Sequence, residues 1–346
     1  MRKLSIELIE EEELRADYEE SKSRVRREFV NREQILQLVQ KSIEDLRSCK
    51  SQIKIVQVKG LGGIGKTWLL TKVKYDYEDE IPVAYIDLSD YYAEGSDLRG
   101  VLRDIATKMK SYGIKTEYFD IMNTIYIKAR MGLEISKKEG VVGDLVSVAK
   151  IIPMVKEMVE VAEVVAGLGR KLVEKIRGKF GERAKWFKEK FGEKYGEKML
   201  KLVKDEPRKY VYMMAEALRV DLVNAVEKKQ AKILILLIDG YEHLQRYSEK
   251  QESIGRTVHM MKRELTDEDA LILLLTRLRK ALVIVVGRRE IEWEKRWPKL
   301  RQYIGKGKQI EKTALIKLPE KASRELLSKK GVTDKTIQDK IIEITG

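Results

Sequence analysis

One short glycine-rich segment leaves this chain few structural alternatives. Gly60-Leu-Gly-Gly-Ile-Gly-Lys-Thr67 matches the pattern G-x-x-x-x-G-K-[ST] in full. A β-rich run, Ile53–Lys59, precedes it, and a helical pattern begins at Lys66. Glycines let the backbone pass close to phosphate, and successive N–H groups at a helix N-terminus supply positive partial charge. The sequence therefore predicts a strand–loop–helix unit that binds phosphate groups.

Two side chains of this segment suit a nucleoside polyphosphate with its metal. The Lys66 ammonium can reach the β- and γ-phosphates, and the Thr67 hydroxyl can ligate Mg²⁺. The predicted contact set is the whole loop and the residue that follows it: Gly60, Leu61, Gly62, Gly63, Ile64, Gly65, Lys66, Thr67 and Trp68.

An acidic residue at the end of a second buried strand would complete such a site. The apolar run Ile233–Ile238 leads directly into Asp239, which we expect to hold Mg²⁺, directly or through water. Glu242 follows, and it either polarises the attacking water or caps the next helix. Position 240, where many related enzymes carry a second acid, is Gly, and this favours slow hydrolysis.

A cationic residue follows another apolar run. Ala281–Val286 ends in Gly287-Arg288-Arg289, and the end of such a strand faces the ligand in an open α/β sheet. We expect Arg288 to sense or stabilise the charge of a γ-phosphate. The alternative is a salt bridge to the nearby Glu290 or Glu292.

Five apolar runs predict five central strands with helices between them: Ile53–Lys59, Val83–Leu88, Ile233–Ile238, Ala281–Val286 and Thr313–Leu318. The pattern indicates an α/β fold with a mostly parallel sheet covered on both faces. Residues 111–230 contain no convincing buried strand and predict a large helical insertion. Within it, Val141–Leu172 reads as amphipathic helix that packs on the core or, alternatively, lies on a membrane surface. The predicted organisation is a charged N-terminal helix or arm, a first ATPase-like part, the insertion and a second such part: 1–28, 29–110, 111–230 and 231–346.

Composition excludes several classes of protein. The single Cys49 cannot form an intramolecular disulfide, and 2 His residues cannot build a Cys/His metal cage. The longest apolar runs are far too short for a membrane span, and the N-terminus becomes acidic without a secretory pattern. A reducing, cytoplasmic setting is the expectation.

The charge of the chain is uneven. The formal net charge is +14, and residues 171–210 and 277–308 together hold all of the excess. Such segments attract nucleic-acid backbones or acidic partners, whereas the alternative is a solvated helix face in a Lys/Glu-rich, thermophile-like protein. In 171–210 the acids and bases interleave, which favours the exposed helix face there.

Together these residues resemble the STAND class of signal-transduction ATPases, which includes the NB-ARC and NACHT proteins. The glycine loop is nearly the form that this class uses. Phe29-Val-Asn-Arg-Glu33 looks like the family motif h-h-G-R-E, with Asn31 in place of Gly. Leu237–Leu244 is similar to the acid strand of archaeal and prokaryotic members, and Gly287-Arg288 to their arginine-bearing strand. Ile344-Thr345-Gly346 looks like the start of their Gly-x-Pro motif.

The resemblance covers about 29–110 and 231–346, and it implies a P-loop ATPase sheet with an extra strand between the strands that end in the glycine loop and in Asp239. It also implies ATP rather than GTP, and it puts Asn31 and Arg32 near the adenine. Independently, the apolar spacing from Ile35 predicts a helix that Asn31 caps.

Three functions are compatible with this sequence. The first is a switch in which ATP/ADP exchange controls assembly or signalling with a protein partner. The second is a DNA-associated motor or replication-initiator ATPase that uses the basic segments. The third is a nucleotide-binding scaffold without useful hydrolysis, which Gly240 favours and Glu242 opposes.

Overall fold

The computed structural model describes residues 17–25, 27–92, 98–135, 186–191, 195–258, 265–297 and 310–345. It is an α/β structure built on a five-stranded sheet. The strands are β1 (Ile53–Gly60), β2 (Val83–Asp87), β3 (Leu234–Asp239), β4 (Ala281–Gly287) and β5 (Ile310–Leu315). The labelled helices are α1 (Glu33–Arg47), α2 (Lys66–Tyr77), α3 (Ser89–Tyr92), α4 (Leu98–Ser111), α5 (Glu117–Ile135), α6 (Tyr195–Asp205), α7 (Pro207–Glu227), α8 (Tyr241–Val258), α9 (Asp267–Thr276), α10 (Trp293–Arg296), α11 (Glu320–Lys329) and α12 (Lys335–Thr345).

All neighbouring strands of the sheet run parallel, in the order β2-β3-β4-β1-β5. The strand β4 therefore lies between β1 and β3. Because parallel strands end at the same edge, the residues that follow β1, β2, β3 and β4 are brought together there.

The sheet is buried because helices cover both of its faces. Strands β3 and β4 are buried at every position, as expected for apolar runs in a parallel sheet. One face packs on α1 and α2 through residues such as Val39 and Leu70. The other packs on α4, α7 and α9, with Leu102, Leu218 and Leu271 among its fully buried side chains.

Four of the five predicted strands are confirmed to within one residue at each end, and the fifth differs. The prediction was Thr313–Leu318, buried on both faces, whereas β5 is Ile310–Leu315 and is buried only at Leu315. The strand pairs with β1 alone, so its other edge is open in the described structure. An edge strand tolerates charged residues such as Glu311 and Lys312, so it need not be a continuous apolar run.

The described part of the predicted insertion is helical. Helix α7 packs against α5 and α9, and its Asp221 accepts hydrogen bonds from the backbone N–H groups of Tyr118 and Phe119. These are N-terminal donors of α5, which has no earlier turn to receive them. Burial raises the pKa of Asp221 to about 7. The stretch Val141–Leu172 lies outside the described residues.

Helical residues 17–25, within the predicted N-terminal arm, pack against the end of α2. Lys22 is buried there and forms ion pairs with Glu78 and Asp79. Among the described helices, none combines the length and the apolarity needed to cross a bilayer.

Candidate functional site

A cavity of about 410 Å³ opens at the edge of the sheet where β1, β2, β3 and β4 end. Most of its lining had been predicted from the sequence: Gly62, Gly63, Gly65, Lys66, Thr67, Trp68, Asp239, Glu242 and Arg288. Four further residues line it that the sequence analysis did not assign as ligands: Asp87, Ser89, Gly240 and His243.

The glycine loop has the backbone conformation that its composition predicts. Gly63 and Gly65 have φ of +74° and +95°, and a Cβ atom at either would meet nothing within 4 Å. Left-handed backbone of this kind favours glycine. Helix α2 starts from Gly65 without a side-chain cap, so its first N–H groups remain available to an anion.

The ammonium of Lys66 folds back over this loop. Its Nζ donates to the carbonyl oxygens of Gly60 (2.9 Å) and Leu61 (2.7 Å). Burial lowers the pKa of Lys66, and the carboxylate of Glu242 opposes that change. Since no carboxylate is bonded directly to Nζ among the described contacts, the cation is held next to the cavity without being neutralised.

Asp239 is joined to the glycine loop by a short hydrogen bond. Thr67 Oγ1 donates to Asp239 Oδ2 at 2.6 Å, and Tyr85 OH donates to the same oxygen at 3.2 Å. The backbone N–H of Gly240 donates to Oδ1 at 2.8 Å. Burial raises the pKa of Asp239, the charge of Asp87 adds to that rise, and the bonds from Thr67 and Gly240 oppose it.

Glu242 and Arg288 form a pair across the cavity. Glu242 lies in the first turn of α8, with only 4% of its side chain exposed. Its Oε2 accepts the backbone N–H of Arg288 at 3.0 Å, and its Oε1 lies 3.1 Å from Arg288 Nε. The alternative partners of Arg288 are engaged elsewhere, since Glu290 pairs with Lys59 and Glu292 with Lys295.

The structure changes the role expected for Asn31. The N-cap of α1 is Arg32, without a side-chain hydrogen bond, so the prediction that Asn31 caps this helix is wrong. Asn31 instead has φ of +50°, a left-handed conformation that Asn tolerates better than most residues. Arg32 Nη2 donates to the Ile64 carbonyl oxygen at 3.1 Å, which ties this segment to the glycine loop.

Trp68 lines the cavity and also contacts a residue of the C-terminal part of the chain. Lys330 Nζ lies 5.5 Å from the centre of the Trp68 ring and 2.9 Å from Glu28 Oε2. These contacts connect the end of α11 to the first turn of α2.

Asp87 could have been predicted from the sequence by the pattern that indicates Asp239. It ends β2 as Asp239 ends β3, and the two are paired in register. Its Oδ1 accepts the backbone N–H of Ser89 at 2.9 Å and the Ser89 hydroxyl at 2.7 Å. The rule that identified Asp239, an acid at the end of a buried strand, applies equally to Asp87.

Oxygen and backbone N–H groups, rather than soft ligands, dominate this cavity. In the described part of the chain, no group of three or more His, Cys, Asp or Glu side chains is arranged to hold a metal ion. Thr67 and Asp239 offer the hydroxyl and carboxylate oxygens that suit Mg²⁺ when phosphate oxygens and water complete its coordination. The geometry therefore fits a magnesium–phosphate ligand better than a metal held by protein alone.

No protein-family model matches the chain, and no curated protein matches it in sequence. What the site can bind is therefore inferred from its own residues.

Proposed function

We propose that this chain binds ATP and ADP with Mg²⁺, hydrolyses ATP slowly, and acts as a STAND-type switch whose nucleotide state controls assembly or signalling. The observation that carries the proposal is the 2.6 Å hydrogen bond from Thr67 to Asp239. It joins the hydroxyl after the glycine loop to an acid that ends a different strand. Phosphoryl-transfer sites of the P-loop type hold Mg²⁺ with these two residue types.

The order of the strands supports the P-loop part of the proposal. Strand β4 lies between β1 and β3, which is the arrangement that the resemblance to the STAND class implies. Arg288 follows this intervening strand and lines the same cavity as Lys66 and Thr67. A γ-phosphate held by the loop would therefore lie near two cationic side chains, those of Lys66 and Arg288.

Each part of a magnesium nucleotide has a counterpart here. The glycine loop and the N-terminus of α2 offer N–H groups to phosphate oxygens, and Lys66 adds a full charge. Thr67 and Asp239 would hold Mg²⁺, which neutralises phosphate charge when it is bound. The arginine of the Asn31–Arg32 segment contacts the loop, consistent with a base-binding role for that segment.

Slow hydrolysis follows from the way Glu242 is held. Its Oε2 accepts the backbone N–H of Arg288 and its Oε1 is ion-paired with the guanidinium, so Glu242 must leave Arg288 before it can orient a water molecule. The Arg288 side chain is 62% exposed and is free to turn toward a γ-phosphate. Turnover then depends on an exchange of partners in addition to the binding of nucleotide.

The DNA-associated alternative is weakened by the partners of the second basic segment. Within the described residues of 277–308, every basic side chain has an acidic or polar partner: Arg277, Arg279, Lys280, Arg288, Arg289, Lys295 and Arg296. Ion pairs with acidic side chains of the same chain reduce the net positive charge that most of these residues offer to a phosphate backbone. Residues 298–308 are outside the described part, and nucleic acid remains the second candidate partner.

Identification of the bound nucleotide tests the proposal most directly. The purified chain is denatured, the released nucleotide is identified by chromatography, and ATP turnover is followed with and without DNA. We expect ADP or ATP to be released and turnover to be slow and indifferent to DNA. Turnover that DNA stimulates strongly would replace the switch by the DNA-associated alternative.

Two substitutions separate binding from hydrolysis. Lys66→Ala should abolish nucleotide affinity, whereas Lys59→Ala, which changes an exposed lysine of β1, should leave it unchanged. Undiminished binding by Lys66→Ala would overturn the site. Glu242→Gln should stop turnover while binding persists; turnover at the wild-type rate would instead leave Glu242 without a role in hydrolysis.

A further inference from the structure

The carboxyl ends of β2 and β3 bring a second aspartate to the proposed magnesium site. Asp87 and Asp239 are paired in register on adjacent parallel strands, and both line the cavity. Asp87 comes from a strand that carries no part of the glycine loop or of the Asp239–Glu242 segment.

The carboxylate of Asp87 fills the space that a side chain at position 240 would need. A Cβ atom placed on Gly240 would lie 2.9 Å from Asp87 Oδ1 and 3.2 Å from the Ser89 backbone nitrogen. Gly240 also has φ of +63°, where other residues are strained. An acidic side chain at 240 and the observed position of Asp87 therefore exclude each other.

Among Asp87, Asp239 and Glu242, only Asp87 has a carboxylate oxygen without a partner in the described residues. Asp239 accepts three hydrogen bonds, and Glu242 is engaged by Arg288 through both oxygens. Oδ1 of Asp87 is held by Ser89, while its Oδ2 has no hydrogen-bond or ion-pair partner among the described residues. Ser89 thus fixes the carboxylate and leaves one oxygen available to the cavity.

We infer that Asp87 is the second acidic residue of the site, a positioning residue that accepts a hydrogen bond from water bound to Mg²⁺ in place of an acid at position 240. This role rests on the proposed function, because it requires that a magnesium nucleotide binds here. Groups that orient the ligands of a metal without touching it alter metal affinity by roughly 10-fold to 100-fold when they are removed.

The test measures the Mg²⁺ requirement of nucleotide binding rather than turnover. A fluorescent N-methylanthraniloyl derivative of ADP is titrated onto the full chain in EDTA and again at increasing Mg²⁺. We expect Asp87→Asn to keep the Kd in EDTA and to raise the Mg²⁺ concentration at half-effect by about tenfold. Asp90→Asn removes an equal charge from a nearby exposed residue and should behave as the wild type.

Ser89→Ala provides a second variant that retains the Asp87 carboxylate. It removes the hydroxyl that fixes Oδ1 and should shift the Mg²⁺ midpoint in the same direction by less. If urea unfolding shows that Asp87→Asn is not folded, the Mg²⁺ midpoint of Ser89→Ala tests the role of Asp87 instead.

The outcomes distinguish the two proposals. If the wild type binds with a clear Mg²⁺ effect and neither Asp87→Asn nor Ser89→Ala shifts the midpoint, the role of Asp87 is overturned and the proposed function stands. An equal shift in Asp90→Asn also overturns it, since charge alone would then explain the effect. If the wild type binds no nucleotide, the proposed function fails and the role of Asp87 fails with it.

Discussion

Two glycine-bearing loops face each other at the carboxyl edge of this sheet, and they differ in what surrounds them. The glycine loop is Gly60–Thr67, and we call Asp239–Glu242 the acid loop. Gly63 in the first has φ of +74° with open space where a Cβ would lie. Gly240 in the second has φ of +63° with the Asp87 carboxylate and the Ser89 backbone against that position.

This difference in surroundings indicates that glycine is required at positions 63 and 240 for different reasons. At Gly63 of the glycine loop, open space lies where a Cβ would be, so replacement of Gly63 should affect a ligand more than the fold. In the acid loop, glycine is required by neighbours that are already present, so its replacement should affect the fold first. Matched substitutions in the two loops can confirm or contradict this distinction.

Gly240→Ala should have the largest effect on stability. The added methyl group is strained by the positive φ and lies against Asp87 and Ser89, of which Ser89 contributes a backbone atom that cannot swing aside. Strain and overpacking together should cost about 3 kcal/mol or more. Urea unfolding measures the loss. A cost near 1 kcal/mol would mean that the contact with Asp87 relaxes freely, and the distinction between the loops would be lost.

Asp221 is a buried carboxylate that does not line the cavity at the sheet edge, and burial dominates the shift of its pKa. Its folded-state pKa is about 7, above the ordinary value of 3.8. Between these two pKa values, the folded state keeps a proton on Asp221 that the unfolded state has released. The stability that this proton contributes is fully present below the unfolded pKa and is lost as pH rises through 7. The wild type should lose about 2 kcal/mol relative to Asp221→Asn between pH 5 and pH 7.

Urea unfolding at the two pH values checks this prediction, with Asp205→Asn as a control at an exposed acid of α6. Nucleotide affinity should be the same in all three proteins. A loss of affinity in Asp221→Asn would show that burial far from the cavity also governs the site, against the comparison drawn between the loops.

The central strands and the strand–loop–helix unit around the glycine loop could be predicted from the sequence because each is encoded locally. The runs that form β3 and β4 are apolar throughout, since the strands are buried on both faces. The loop needs Gly63, Gly65, Lys66 and Thr67 within a few residues of one another. Neither inference requires knowledge of a distant part of the chain.

The features that were missed depend on tertiary partners. The edge strand β5 carries Glu311 and Lys312 because only one of its edges is paired, which no apolar run reveals. Asn31 adopts positive φ instead of capping α1, and the neighbouring Arg32 donates to the Ile64 carbonyl oxygen of a distant loop. Two further features each involve residues at the ends of different strands, so spacing along the chain could not show them. They are the ion pair between Glu242 and Arg288 and the position of the Asp87 carboxylate against Gly240.

Gly63→Ala tests the other side of the comparison with an equal chemical change. Because nothing lies within 4 Å of the added methyl group, only the positive φ opposes it, at a cost of about 1 kcal/mol. Nucleotide affinity should fall more than stability does, as the methyl group projects into space that the ligand needs. Titration of labelled ADP and urea unfolding of the same preparations measure both effects. Unchanged affinity would place the phosphates elsewhere than against Gly63.

Lys330→Ala should have the smallest effect, and it extends the comparison to the outer side of the glycine loop. Lys330 lies over the Trp68 ring and pairs with Glu28, which joins α11 to the first turn of α2. Since Lys330 is about half exposed, these contacts should contribute only about 0.5 kcal/mol to global stability. Their loss should instead be seen locally, as faster hydrogen exchange in α11 and α12, because most residues of these helices are not buried.

Lys329→Ala, which removes the neighbouring lysine and its pair with Glu325 within the same helix, is the control and should leave exchange in α12 unchanged. Equal exchange in the two variants would show that other contacts hold the helix pair, and Lys330 would then have no part in connecting it to the glycine loop.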